Sequence, residues 1–189
     1  GEEQVVMKED FAKMTAGTPE NPDLDNSILK EEFEYPWINT KDEYFNTPGW
    51  GSGNAFSAGG VVYLASAPKE MAHINTPMLN VSANGGIAWV RFKARAKSAE
   101  ELPVVMVEAA ETHNMSPTWD MMGSAQLPQI SEQWQEYTMY FYGGGEYSIF
   151  NIVSVGAPVY IDDLEVFTVK QHVATPTMLP YSNYQGTSF

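Results

Sequence analysis

Residues 159–167, VYIDDLEVF, read as a buried β-strand interrupted by two adjacent carboxylates, Asp162 and Asp163. Neighbouring side chains on a strand point to opposite faces, so at least one of the pair is directed at the interior or at a sheet edge. An unpaired carboxylate in that position costs on the order of several kcal/mol. Three arrangements would compensate it: a bound cation, a set of backbone N–H donors, or a bulge that turns both acids outward.

Working outward from this segment, the same period-two pattern recurs. In IAWVRFKARA, residues 87–96, Ala88, Val90, Phe92, Ala94 and Ala96 fall on one face and Trp89, Arg91, Lys93 and Arg95 on the other, which is a half-buried strand. VVYLA from Val61, PVVMVEA from Pro103, WQEYTMYFY from Trp134 and YSIFNIVSV from Tyr147 are further strand candidates, separated by Gly-Gly, Pro or Asn turn signals. No long helical periodicity competes with them. The pattern predicts an all-β sandwich of two antiparallel sheets, with its core over about residues 5–169. GGG at Gly143 reads as a hairpin turn, because no helix follows it to hold a phosphate.

Bulk properties narrow the partners. With 189 residues and 43% hydrophobic content, the chain is long enough for one main domain with a full core. Ten basic against 24 acidic residues give a net charge of −14, which argues against nucleic acid or an anionic membrane as partner. The absence of Cys excludes disulfides, thiolate catalysis and iron–sulfur clusters. No apolar run approaches the ~18 residues of a membrane span, so this segment is not expected to insert in a bilayer. No leader precedes Gly1, which suits a cytoplasmic chain or the mature part of an exported one. Two segments differ in composition. Residues 15–32, TAGTPENPDLDNSILKEE, read as an acidic surface loop with room for one helical turn. Residues 174–189, ATPTMLPYSNYQGTSF, read as a linker followed by a short β-like stub, with Pro176 and Pro180 disfavouring a central strand.

Taken in order, several weak motifs resemble the jelly-roll choice-of-anchor or cleaved-adhesin-type domains, which are similar to carbohydrate-binding modules with a galactose-binding-like fold. KEDFAKMTAGTPENPD at Lys8 resembles the opening strand and acidic loop, and PGWGSGNAFSAGG at Pro48 the Gly-Trp and Ala-Gly-Gly segment. INTPMLNVS at Ile74 resembles the beginning of a TP-x-L strand, VRFKAR at Val90 a core strand, WQEYTMYF at Trp134 the W-x-x-Y strand, and VYIDDLEV the closing strand. The stub resembles the start of a fibronectin type III domain. The resemblance implies a jelly-roll binding domain over residues 1–173, residues 174–189 leading into a further domain, and an extracellular or cell-surface location as part of a larger secreted or adhesin-like protein.

It also implies a structural Ca²⁺ between the first and last strands, where jelly-roll carbohydrate-binding modules commonly hold one. Ca²⁺ takes about six to eight oxygen ligands. Glu9 and Asp10 on the first strand and Asp162 and Asp163 on the last are the candidate ligands, against the alternative that they accept backbone N–H bonds or face solvent. Trp37, Tyr44, Trp50 and Trp119, with Tyr35 and Phe56, lie in turn-rich segments where stacking rings would meet a sugar. Each of them also fits core packing. Trp134 and Tyr137 sit inside a strand pattern and are expected in the core. The basic stripe Arg91, Lys93 and Arg95 is expected to pair with the chain's own acids on a solvated face.

Catalysis has little support. His113, Ser116 and Asp120 offer triad residue types on one loop but lack a nucleophile elbow, and pairs such as Glu108 with Glu111 arise by chance in so acidic a chain. The expected function is non-catalytic binding, with a glycan as partner. A structural or protein-adhesive spacer without a sugar site is the alternative, and an unrecognised glycan-active enzyme is less favoured.

Overall fold

A computed structural model describes residues 1–172 and has eleven strands in two antiparallel sheets, the all-β sandwich expected from the strand pattern and the jelly roll that the resemblance implied. The six-stranded sheet is built around β11 (Val159–Lys170). One edge of β11 pairs along its length with β6 (Ala88–Ala96). Its other edge is shared, first by β4 (Val62–Leu64) opposite residues 159–161 and then by β1 (Glu2–Glu9) opposite residues 164–170. β3 (Ala55–Ser57) extends the sheet beyond β4, and β9 (Gln135–Phe141) beyond β6. The second sheet runs in the order β2 (Gly51–Gly53), β5 (Ala72–Asn75), β10 (Ser148–Val155), β7 (Val104–Glu111), β8 (Asp120–Gln126).

The alternation in β6 is realised without exception: Ala88, Val90, Phe92, Ala94 and Ala96 are fully buried between the sheets. Val105, Val107 and Ala109 of β7 and Phe150 and Ile152 of β10 meet them from the other side. The opposite face of β6 is partly exposed, whereas that of β10 is covered, with Ile149, Asn151 and Val153 buried.

The two aspartates are explained by a bulge. Val159 and Ile161 point into the core, and so do Leu164 and Val166, a spacing of three across the acids that strict alternation cannot produce. Against β6 the register steps from Asp162↔Lys93 to Glu165↔Arg91, so β11 carries one extra residue there. Asp163 takes up the excess in a left-handed conformation (φ 49°), and its N–H donates to Asp162 Oδ1 at 2.8 Å. Both carboxylates thereby leave the core, and Asp163 accepts a hydrogen bond from Lys93 Nζ at 3.1 Å. Arg91 and Lys93 pair with the chain's own acids as expected, Arg91 bridging Glu3 and Glu165 and lying over Phe167, whereas Arg95 lies over Tyr160 and has no acid partner among the described residues.

Several expectations are corrected. Trp50 is not a loop ring in solvent; it is fully buried, stacked on Phe45 at 4.6 Å and meeting Phe11 edge-on at 5.7 Å. Tyr44 packs partly buried against the same core. Trp134, expected inside, is 41% exposed on the outer face beside Arg95. Segment 120–126, not among the strand candidates, is strand β8, and β5 ends before the Thr76–Pro77 pair instead of beginning there. Residues 15–32 form no helical turn. They dock on the free edge of β3, where Asp23 N–H donates to the Ser57 carbonyl and Ser57 Oγ to the Ala16 carbonyl, so an edge strand is covered. The linker and fibronectin-like reading of residues 174–189 lies outside the described residues.

Candidate glycan-binding face

The outer face of the five-stranded sheet is framed by two loops that each present an indole. Trp37 comes from a turn in which Ile38 N–H donates to the Tyr35 carbonyl, with Pro36 supplying the fixed φ that such turns favour. That loop is tied to the sheet by Asn39, whose side chain donates to the Ser52 carbonyl at 3.0 Å and accepts from Ser52 N–H at 2.8 Å, as a neighbouring strand would. Asn75 Nδ2 donates to the Trp37 carbonyl at 3.0 Å. The approach requires Gly51: a Cβ there would lie 2.6 Å from the Trp37 carbonyl oxygen. Gly51→Ala is therefore expected to displace the Trp37 loop and weaken ligand binding several-fold, a loss that titration calorimetry would read.

Trp119 comes from the β7–β8 connection. Its backbone passes through three consecutive left-handed residues, His113, Asn114 and Met115. Glu111, buried at the end of β7, holds this turn by accepting from His113 N–H at 2.7 Å and from Tyr147 N–H at 3.0 Å. His113 Nε2 and Asp120 Oδ2 are 2.7 Å apart, which closes the loop just beyond Trp119. The imidazole is thus engaged by Asp120, and Ser116 Oγ is 3.4 Å from Thr118 Oγ1, so these residue types serve loop geometry.

The two loops bring Trp37 and Trp119 to 5.4 Å between ring centroids, at 55°. Both indoles are half-buried. Beneath them lies a groove of about 150 Å³ floored by Ala110, Ile149 and Asn151, with Glu108 and Met121 on its rim. Burial depresses the pKa of neighbouring His73, whose Nδ1 is 3.1 Å from Asn151 Oδ1 and whose ring is 5.8 Å from Trp37. The groove is too small to enclose a drug-sized molecule, so it suits a ligand that lays one face on the rings and turns polar groups toward Glu108 and Asn151. Of the six candidate rings from the sequence, Trp37 and Trp119 are brought together; Trp50, Tyr44 and Phe56 pack elsewhere, and Tyr35, in the Trp37 turn, does not line the groove. Asn151 and His73 were missed, and Glu108 was named only in a chance pair with Glu111. The outward alternation of β10, β5 and β7 could have identified them once their pairing was known.

The candidate metal ligands are brought near one another only in part. β1 and β11 do pair, with Glu9 opposite Leu164. Glu9, however, is buried and gives both oxygens to backbone donors, Phe11 N–H at 2.8 Å and Asn46 N–H at 2.6 Å. Asp10 accepts from Ala12 N–H and from Asn46 Nδ2. Among the described residues no three His, Asp or Glu side chains stand close enough to share a metal ion. Each of the four acids has at least one protein partner, Asp162 that of Asp163 N–H and Asp163 that of Lys93.

No protein-family model and no curated protein sequence matches the chain. Its fold is similar to solved carbohydrate-binding modules. The CBM22-1 xylan-binding domain of Paenibacillus barcinonensis Xyn10C aligns with TM-score 0.50 and 10% identity, over 90% of this chain and 97% of that domain. The CBM22-1-CBM22-2 tandem of the same protein aligns with TM-score 0.52 and 11% identity, over 94% of this chain and 48% of the tandem. At these identities the likeness establishes the fold: a jelly roll of the carbohydrate-binding-module type.

Proposed function

We propose that the chain is a non-catalytic glycan-binding module working as part of a larger secreted or cell-surface protein of the choice-of-anchor type, with residues 174–189 leading toward the next domain. The observation that carries this reading is the Trp37–Trp119 pair over a groove edged by Glu108 and Asn151. Aromatic faces match the C–H faces of pyranose rings, and the carboxylate and amide match their hydroxyls. Among the described residues Glu108 is the one carboxylate lining the groove, whereas glycoside hydrolysis generally uses two flanking the scissile bond. The test is affinity electrophoresis and calorimetry against soluble neutral polysaccharides, xylan among them because it is what the similar Xyn10C module is named for binding. Retardation by at least one of them, abolished by loss of the indoles, supports the module. Absence of binding across a broad glycan array would leave the spacer reading.

We further infer that the acids at the β1–β11 junction are held without calcium, and two measurements check this. Melting temperatures in Ca²⁺ and in chelator are expected to agree; a clear rise with Ca²⁺ would restore the metal. Asp162→Asn supplies the second. Burial, with smaller additions from Asp163 and Asp10, pushes the Asp162 carboxyl up to about 6. A folded-state pKa above the unfolded one means that the folded state holds the proton longer. Stability contributed by Asp162 is therefore present below the unfolded value near 4 and lost as pH rises through about 6. Asp162→Asn keeps an acceptor for Asp163 N–H and removes the penalty, so it should raise stability at pH 7 by about 1 kcal/mol, after discounting for the solvent that still reaches the group. Loss of a calcium ligand would lower it.

A further inference from the structure

The opposite face of the sandwich carries a second aromatic groove. Trp89 on β6 lies opposite Tyr140 on β9 in register, with ring centroids 4.8 Å apart. Tyr142, two residues further along and on the same side, meets Tyr140 edge-on at 5.6 Å. Phe167 supports Trp89 from the other side, 6.1 Å away and nearly parallel. Tyr140 and Tyr142 are 50% and 63% exposed, which is uncommon for two adjacent large rings beside a third. Together with Asn84, Val169 and Gln171 they line a groove of about 280 Å³.

This groove is built and held in place. Asn84 and Ile87, which line it, flank a glycine loop that docks backbone to backbone on residues 143–145 (GGG). Gly144 N–H donates to the Gly86 carbonyl at 2.7 Å. A Cβ on Gly86 would lie 2.7 Å from the Gly144 carbonyl oxygen, so no side chain fits between the loops. Asn84 is held in a left-handed conformation (φ 53°). Its Nδ2 donates to Gln4 Oε1 at 3.0 Å and to Thr168 Oγ1 at 2.9 Å. Both amide hydrogens are thus consumed on the β1–β11 side, which fixes the amide plane and leaves Oδ1 as an oriented acceptor.

The chemistry of the lining selects the ligand. The chain carries −14 overall, yet among the described residues no Asp, Glu, Lys or Arg lines this groove. The nearest cation on β6, Arg91, is consumed by Glu3 and Glu165. An ionic ligand would find no counter-charge here, whereas a neutral ligand with alternating C–H and hydroxyl faces would find rings, phenol hydroxyls and an amide acceptor. We propose that Trp89, Tyr140, Tyr142 and Asn84 form a second binding site, for neutral pyranose units of a polysaccharide, on the face opposite the Trp37–Trp119 groove. The inference rests on the glycan-binding reading above for its ligand class, but on separate residues. With sites on both outer faces, one module links two polysaccharide chains.

The test is a two-dimensional ¹⁵N NMR titration of the full chain with xylohexaose, cellohexaose and mannohexaose, in which indole N–H signals report each face separately. The expected result is that one hexaose shifts the Trp89 signal as well as those of Trp37 and Trp119, with two independent isotherms. The double variant Tyr140→Ala/Tyr142→Ala should weaken the Trp89 isotherm at least tenfold and leave the Trp119 isotherm and the melting temperature unchanged. If Trp119 saturates while Trp89 stays still, the second site is overturned and the function stands. Movement of Trp89 alone supports the second site and removes the first. Silence of both faces with all three sugars overturns both. Trp89 and Tyr142 signals that shift on dilution without sugar would assign this face to a second copy of the chain and overturn the proposal.

Discussion

Trp119→Ala is expected to lower affinity for the glycan ligand by roughly thirtyfold, about 2 kcal/mol, the size typical of a ring at the centre of a binding surface. The argument begins with what the indole touches. Its ring meets Trp37 at 5.4 Å and closes one side of the groove, so truncation removes a stacking surface and also leaves Trp37 without its neighbour. The two effects act on the same ligand face. Trp119→Phe keeps an aromatic plane of smaller area and should lose only a few-fold. Neither change should alter the melting temperature by more than the equivalent of about 1 kcal/mol, since Trp119 lies outside the buried core and its loop is held by Glu111, His113 and Asp120. Calorimetry with the polysaccharide that binds the unmodified chain reads the first quantity and thermal unfolding the second. Unchanged affinity in Trp119→Ala would remove this face as the binding site.

What the sequence disclosed follows from the range of the interactions involved. β6 was legible residue by residue because a strand half-buried in a sandwich must alternate, and its five inward positions are all small or apolar. β8 was not, because it is an edge strand with a bulge near Gly123 and neither face is fully buried, so DMMGSAQ shows no apolar alternation. The bulge at Asp163 was half legible: two adjacent acids inside an apolar run demand some departure from period two, but three departures satisfy the demand equally. Only the pairing with β6 and β1 selects among them. The groove was legible as residue types and not as a place. Trp37 and Trp119 both announce themselves by turn signals, yet nothing local says that their loops converge on one sheet face, or that Trp89, Tyr140 and Tyr142 converge on the other. Turn signals also misled at Trp50, because PGWGSG predicts an exposed tip only if no distant apolar residue covers it.

Trp50→Ala is expected to destabilise the fold by about 3–5 kcal/mol, among the largest single effects available in this chain. Phe11, remote in sequence, covers the edge of the indole and Phe45, a few residues before it, covers the face, and all three rings are buried. The Trp50 carbonyl accepts from both Asn39 N–H and Thr40 N–H, so the same residue anchors the segment that presents Trp37. Loss of the ring therefore opens a cavity beneath the binding loop, and ligand affinity should fall together with stability. Trp50→Phe distinguishes packing from polarity. The indole Nε1 is buried and has no hydrogen-bond partner among the described residues, an arrangement that carries a desolvation cost of about 1–3 kcal/mol. Phenylalanine removes that orphaned donor while keeping a ring to stack on Phe45, so the lost cavity-filling volume is partly offset. Trp50→Phe should cost less than half of what Trp50→Ala costs, measured by urea unfolding at constant m-value. Equal losses in the two variants would mean that Nε1 has a partner, such as an internal water, and that the indole contributes through its N–H as well as its faces.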